Sequence, residues 1–400
     1  MYPSIHLRPQ LERRIRNVQH PWIFSGALVE SKETLKALHG KKVRVMVEDR
    51  FLAVGVYNAQ SQIAVRVFSW EDDVLNKKFF KTKIASALYM RECLVLSEET
   101  TACRVIFAES DGFPGFIMDK YGDVYVMQIH ALAGESCKED FVAAFAELLP
   151  ESCLYEVSDS PARVKDGLSK EHKQVHAGTL PEEIQVLENG LSYFVDVHGQ
   201  KTGLFVDQRE NRLLLEQMVS SLVKKKKTVR VLNLFSYTGG FSLAAARGGA
   251  GHVLSVDTDA SSLTLLKKNF ELNSLATSHE EKAVDVFTFV DSIKPDAWEI
   301  VILDPPAFVK SLNQKVQGMK GYLSLNQKVL EKMSSGSYLF TFSCSGAVSE
   351  EDFVHMINWA SHAAKKEVQI VKVMGHPIDH PLLASFPEGK YLKGVALRVV

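Results

Sequence analysis

The stretch VRVLNLFSYTGGFSLAAA, residues 229–246, decides how this chain is read. It reads as a buried strand, then the turn Ser236-Tyr237-Thr238-Gly239-Gly240, then a helix. Small residues at a strand-to-helix turn let a ligand approach the backbone closely, as in nucleoside-binding α/β domains. The spacing is not GxGxxG, and Tyr237 and Thr238 stand where a pyrophosphate cradle wants glycine. The turn therefore favours a ligand without pyrophosphate and disfavours a nicotinamide oxidoreductase. The next strand ends in VLSVDTD, which delivers Asp257 where a carboxylate accepts both hydroxyls of a ribose. A Gly-Gly turn or an Asp after a strand is more often structural when alone; in register, the two point to a nucleoside site.

Two further strand ends converge on the same edge. EIVILDPPAF delivers Asp304 followed by Pro305 and Pro306, which lack amide donors and stiffen a loop suited to holding a planar substrate. YLFTFSCSG ends with Cys344. Most free cysteines are inert core residues, but one at a strand end facing a ligand crevice is a candidate nucleophile. VDVF places Asp285 after the expected third strand, within reach of an adenine amino group.

Outward from this core, residues 186–400 alternate strands and helices, the pattern of a doubly wound α/β sheet. Strands are expected at Val229–Phe235, His252–Val256, Glu299–Leu303 and Ser337–Ser343, with a terminal pair near 368–375 and 391–399. Helices are expected near 207–223, 240–248, 260–273, 322–333 and 350–365. Residues 1–72 carry three short alternating segments, Val43–Glu48, Phe51–Tyr57 and Ile63–Phe68, the mark of a small β module. A helical pattern from 76 to 96 opens a middle α+β domain, residues 73–185, in which Gly and Pro punctuate strands at Cys103–Phe107, Phe116–Tyr121 and Val124–His130.

A chain of 400 residues, at about 150 per domain, accommodates these three parts. No apolar run approaches the roughly 18 residues of a membrane span, and MYPSIHLRPQLERR lacks the apolar core of a signal peptide, so a cytoplasmic protein without a membrane partner is expected. The five cysteines form no CxxC pair and no Cys/His cluster with zinc spacing, which argues against disulfides and against a metal site. The formal net charge is −1, yet residues 1–50 carry ten Lys and Arg against five Asp and Glu. Such a basic end reads equally as a foot for nucleic acid and as a solvated face. The run Lys224–Lys227 reads as a solvated helix end.

The ordered motifs FSYTGGF (235–241), VDTD (256–259), LDPPAF (303–308), GY (321–322), TFSCSG (341–346) and HPLLASFPEGKYLKGVALRV (380–399) resemble the bacterial S-adenosylmethionine-dependent cytosine-5 methyltransferases of large-subunit ribosomal RNA. The likeness extends through GQKTGLFVDQREN (199–211), SDGFPGFIMDKYGD (110–123) and HPWIFSGAL (20–28), and so covers nearly the whole chain. It implies an N-terminal PUA (pseudouridine-synthase-and-archaeosine-transglycosylase) domain, a central α/β domain and a C-terminal class I, Rossmann-like methyltransferase domain. It implies S-adenosylmethionine as cofactor, large-subunit rRNA as partner, and a homodimer.

Carried over by resemblance, Asn233, Phe235, Ser236, Tyr237, Thr238, Gly239 and Gly240 would form the cofactor loop, with Asp257 on the ribose, Asp285 on the adenine and Asp304 facing the reacting centre. Cys344 would be the nucleophile. Cytosine C5 is not nucleophilic by itself; thiolate addition to C6 makes an enamine whose C5 attacks the methyl sulfonium. Asp304 would stabilise the adduct at the N3 edge, and elimination after loss of the C5 proton would release Cys344. A stacked cytosine is out of reach, so the target is single-stranded or flipped. The wider cytosine-5 RNA enzymes carry a second cysteine three residues after the loop Asp; here that residue is Ala307, as in this subfamily. The group that removes the C5 proton stays open among Lys310, Tyr322 and water.

Gln208 and Arg209 divide between contacting the cofactor loop and packing their helix. His376 and His380 divide between structuring a loop and lining the substrate mouth. Trp22 divides between core packing and stacking on RNA, and Arg13 and Arg14 belong to the basic end. The rivals are methylation of another base such as guanine, which needs no thiolate, and a non-catalytic RNA-binding ribosome-assembly factor.

Overall fold

The computed structural model describes residues 2–198, 203–225 and 228–400; residues 199–202 of the GQKTG motif and the last two lysines of the 224–227 run lie outside the described residues. The chain forms two compact units. The first comprises Met1–Val186, Val195–Gly203 and Ile378–Gly389, and the second Leu187–Phe194, Leu204–Pro377 and Lys390–Val400.

Within the first unit, strands β1 (Ser4–His6), β2 (Trp22–Phe24), β3 (Lys42–Val47), β4 (Arg50–Tyr57) and β5 (Ile63–Ser69) form a sheet of order β1-β3-β4-β5-β2, with helix α1 (Glu12–Val18) between the first two. Strict alternation in β3 buries Val43, Val45 and Val47 on one face. Strands β1 and β2 are three residues each, too short for periodicity to show. Helix α2 (Lys77–Leu94) starts where the Asn76 side chain accepts from the Phe79 amide, and buries Phe80, Ile84, Ala87, Leu88 and Arg91 at helical spacing. A second sheet, order β10-β9-β8-β7-β6, follows from β6 (Ala102–Phe107), β7 (Phe116–Tyr121), β8 (Val124–Ile129), β9 (Cys153–Ser158) and β10 (His172–Ala177), with α3 (Leu132–Glu135), α4 (Lys138–Leu148) and α5 (Pro161–Lys165) between strands.

The division expected near residue 72 separates two sheets, and the first keeps a core of its own on one face, with Ile5, Val43, Val45, Val47 and Val65. Val54, Val56 and Phe68 of the first sheet pack in one cluster with Phe80, Phe113, Phe116 and Phe141. Segment 378–389 joins this unit through Asp379, whose Oδ2 accepts from the Arg104 amide (2.9 Å) and whose carbonyl accepts from Arg91 (2.9 Å). Arg91 also forms two hydrogen bonds to Asp111 (2.9 and 2.7 Å), and Arg104 two to Asp119 (2.8 and 2.9 Å). Among the described residues one group has metal-ligand character, Glu156, His172 and His176. Glu156 Oε2 is already bonded by His176 (2.7 Å) and lies 3.4 Å from the Lys138 ammonium.

The second unit begins within the hairpin of β11 (Gln185–Glu188) and β12 (Leu191–Phe194), followed by α6 (Arg209–Val223). Its sheet is built from β13 (Arg230–Leu234), β14 (His252–Asp257), β15 (Ser278–Ala283), β16 (Ile300–Leu303), β17 (Tyr338–Ser343), β18 (Val368–Met374) and β19 (Lys393–Val399). Helices α7 (Gly240–Arg247), α8 (Ala260–Leu272), α9 (Val286–Phe289), α10 (Lys315–Glu331) and α11 (Glu350–Ala363) connect them. The order β15-β14-β13-β16-β17-β19-β18 is parallel from β15 to β17, while β19 runs antiparallel to both neighbours. The strand order reverses between β13 and β16, which opens a crevice at the carboxyl ends where α/β ligands bind. No helix among the described residues is long and apolar enough to cross a membrane.

Candidate active site

The turn after β13 is shaped by strained backbone. Phe235, Tyr237 and Gly239 have φ of 62°, 48° and 88°. For a phenylalanine and a tyrosine that conformation is costly and persists only where neighbours enforce it. They do: Ser236 N donates to Val256 O (3.0 Å), Tyr237 N to Asp257 Oδ2 (2.8 Å) and Gly239 N to Ser236 O (2.9 Å). The Asp257 Oδ1 atom accepts from Asp259 N (3.0 Å), so the carboxylate that ends β14 pins the turn. Thr238 is buried and its carbonyl accepts from Asn269.

The glycines of the turn have a packing cause that the sequence reading did not see. A Cβ on Gly239 would lie 2.5 Å from Leu266 Cγ, and one on Gly240 2.9 Å from Arg212 Cδ. Arg212 is itself held by a buried pair with Glu188 (2.6 and 2.5 Å). Asn233 is 1 % exposed, and its Nδ2 donates to Ser242 Oγ (2.8 Å), which continues through Ser255 Oγ (2.7 Å) to His279 Nε2 (3.1 Å). One end of its amide thus serves a chain beneath α7, while its buried Oδ1 takes no hydrogen bond among the described residues.

Asp285 lies at the N-terminus of α9, where its Oδ1 accepts from Thr288 N (2.9 Å), and it is exposed. Gln208 and Arg209 are both buried; Gln208 Oε1 accepts from Asn211 Nδ2 (2.6 Å), which orients the amide so that Nε2 donates to Asp304 Oδ2 (3.1 Å). Pro305 is buried and Pro306 exposed. Cys344 follows β17 and is half-buried, its Sγ 3.9 Å from the carbonyl of Pro305. The structure thus brings Cys344 to the Asp304-Pro305-Pro306 loop, as the strand-end reading expected.

Tyr322 is fully buried, and its hydroxyl pairs with Ser345 Oγ (2.9 Å) and accepts from Phe308 N (3.3 Å). Its hydroxyl thus braces the Asp304 loop, and burial raises its pKa, which keeps the phenol protonated. Lys310 is exposed. His380 is 2 % exposed, with its ring against Phe107 and Nδ1 on Asp379, and lines no open mouth. His376 accepts from the Leu392 amide (2.9 Å) and packs on Tyr391, a loop-structuring role. Trp22 donates to Glu109 (2.8 Å), carries the Arg66 guanidinium over its ring and meets Phe386 edge-on, which favours packing over stacking on bases. Arg13 and Arg14 are exposed on α1.

Two features went unread in the sequence. Phe235, Phe287, Phe308 and Tyr322 form a run of ring contacts, at 6.2, 5.6 and 4.6 Å, from the turn to the Asp304 loop. The spacing of Phe287 two residues after Asp285 was the available signal. Lys393, in the YLKG segment, is buried with its Nζ donating to Ser345 O (2.7 Å).

The fit to S-adenosylmethionine rests on this set. Ser236 is 5 % exposed and its Oγ has no hydrogen-bond partner among the described residues, a polar atom the fold leaves for something else at the turn. Asp257 stands beside it at the strand end, and the rings of Phe235 and Phe287 supply apolar surface.

Comparison with known proteins agrees. Residues 172–381 match the family model described as S-adenosylmethionine-dependent methyltransferase. The chain belongs to that family. Residues 5–70 of this methyltransferase match a PUA-like domain. The protein named Ribosomal RNA large subunit methyltransferase I from Aliivibrio fischeri is 36% identical over 408 residues, covering 100% of both chains. The protein of the same name from Escherichia coli is 34% identical over 388 residues, covering 96% of both. Among solved structures, a putative SAM-dependent methyltransferase from Streptococcus mutans is 25% identical with a TM-score of 0.81, covering 99% of this chain and 100% of that one. A putative methyltransferase complexed with SAH, 24% identical, superposes equally well and covers 99% of both chains. The cofactor of this methyltransferase is S-adenosylmethionine.

Proposed function

We propose that this methyltransferase transfers a methyl group to C5 of a cytosine in large-subunit ribosomal RNA, with Cys344 as the nucleophile. The name carried by full-length relatives supports the substrate class. The observation that carries the chemistry is the placement of the Cys344 thiol beside the Pro305 carbonyl, at the loop that also presents Asp304. Methylation of a ring nitrogen or exocyclic amine needs no thiol there.

Bound cofactor supplies an electrophilic methyl sulfonium; the rest of the reaction falls to this chain. Asp257, Asp285 and the turn Phe235–Gly240 hold the nucleoside half. Cys344 Sγ adds to C6, and the electron pair displaced from the C5=C6 bond makes C5 the nucleophile. Gln208 orients Asp304 by a hydrogen bond to Oδ2, and the Asp304 carboxyl group meets the N3 edge of the base. Loss of the C5 proton then expels the thiolate. The PUA-like domain, with the exposed Arg13 and Arg14, contributes phosphate contacts.

The test uses unmodified large-subunit RNA, labelled S-adenosylmethionine and nucleoside analysis, with wild type beside Cys344→Ala. Label in 5-methylcytosine that falls to background in the variant is the expected result. Label in another nucleoside, retained by the variant, would return Cys344 to a packing role and favour a guanine target.

A further inference from the structure

Cys344 is bracketed by one lysine. β17 and β19 pair antiparallel with Ser343 directly opposite Lys393, and the Lys393 side chain reaches past Cys344 to place Nζ 2.7 Å from the carbonyl of Ser345. The backbone it grips is fixed from the other side, because Ser345 Oγ accepts from the Val309 amide (3.1 Å) and pairs with the Tyr322 hydroxyl. Lys393 is 2 % exposed, yet of the three donors an ammonium carries, the hydrogen bond to Ser345 is the single one the described residues take. A buried cation so sparsely bonded is costly unless an anion stands by.

The carboxylates of the neighbourhood are engaged elsewhere. Asp352 on α11 pairs with Lys315 (2.6 Å), and Glu350 pairs with Lys390 (2.5 Å). Both still favour the Lys393 charge through space, Lys390 opposes it, and ionised Cys344 favours it more than either carboxylate. Burial outweighs them and pushes the ammonium down to about 8, so Lys393 remains mostly charged at neutral pH.

We infer that Lys393 is a positioning residue that holds Cys344 as a thiolate and fixes its backbone at the Asp304 loop. This rests on the reading of Cys344 as nucleophile. The thiol proton passes to solvent, Lys393 keeps its own proton, and the thiolate electron pair is then available to form the bond to C6. When that bond breaks at the end of the cycle, the returning thiolate meets the same cation.

The experiment follows iodoacetamide alkylation of Cys344 in the full chain without RNA, by peptide mass spectrometry across about pH 5 to 10. Exposed Cys93 on α2 is the internal reference. In wild type the Cys344 midpoint is expected about one pH unit or more below that of Cys93. Lys393→Met is expected to close that gap while S-adenosylmethionine still binds by calorimetry, and Lys393→Arg to preserve it. A wild-type midpoint equal to that of Cys93 overturns the inference before any variant is made, and so does a gap that survives Lys393→Met. A depressed midpoint in an enzyme whose Cys344→Ala form still methylates RNA would overturn the nucleophile reading and leave the lysine–thiolate pair standing. An ordinary midpoint in an enzyme that needs Cys344 would do the reverse.

Discussion

Buried charges of the first unit and buried polar groups at the strand ends of the second are bonded in opposite ways. In the first, charges close on one another: Arg91 on Asp111, Arg104 on Asp119, and Glu156 on His176 and Ser158. At the strand ends of the second, buried polar atoms are left unspent among the described residues, with the Ser236 hydroxyl unbonded and the Lys393 ammonium using one donor. Both arrangements come from residues of similar burial, so burial alone does not mark a site. What marks it is the saturation of each group. A closed network stabilises, and an open one waits for a ligand.

Breaking a closed group should cost most. Arg91→Ala removes a buried guanidinium, leaves the half-buried Asp111 and the Asp379 carbonyl without it, and should lower unfolding free energy by about 3 kcal/mol, read from the denaturant midpoint. An unchanged midpoint would show that the network carries no stability. At the cofactor turn the effect should reach binding as well as stability. Asp257→Ala should raise the Kd for S-adenosylmethionine about tenfold to a hundredfold, the value of a charged hydrogen bond, and lower stability by about 1 to 3 kcal/mol because the carboxylate also pins the turn at Tyr237. An unaltered Kd would remove Asp257 from the ribose.

His279 ends the hydrogen-bonded chain that runs from Asn233 through Ser242 and Ser255. Burial pushes its pKa down to about 4, against about 6.5 in the unfolded chain. The unfolded state therefore binds more protons between those values, so stability is lost as pH falls from about 6.5 toward 4, by at most about 1.4 kcal/mol per pH unit. His279→Phe keeps a ring against Phe270 and should flatten that slope. A slope that persists would place its origin in another group. The smallest effect should come from Ser236→Ala, with stability within about 0.5 kcal/mol and cofactor affinity reduced about threefold or less. A large loss of stability would mean that the hydroxyl is not open after all.

Much of the second unit was legible because β13, β14, β16 and β17 are central parallel strands whose continuous apolar runs have one physical explanation. One sheet edge was not. β18 at the other edge is rich in β-branched residues and was expected near 368–375, whereas β15 reads SHEEKA and is mostly exposed, so it lacks the burial that makes a pattern. β10, HKQVHA, hides for the same reason. At the site, Asp257, Asp304 and Cys344 were readable because a strand end fixes where the next residue lies. Asn233, one residue short of the end of β13, projects under α7 instead, and Tyr322 follows its helix face into the core. Lys393 was invisible because its meaning depends on which strand lies beside β19, and pairing between distant strands leaves no local trace.

Segment 378–389 carries a consequence for the order in which the protein is completed. Asp379 supplies an acceptor to the Arg104 amide and another to Arg91, yet it is made more than 270 residues after them. A ribosome delivers the two sheets of the first unit before it, and domains generally fold as they emerge. Here the nascent unit waits with two acceptor positions empty until residue 379 has been made, so its stability is sealed only after most of the second unit has been translated too.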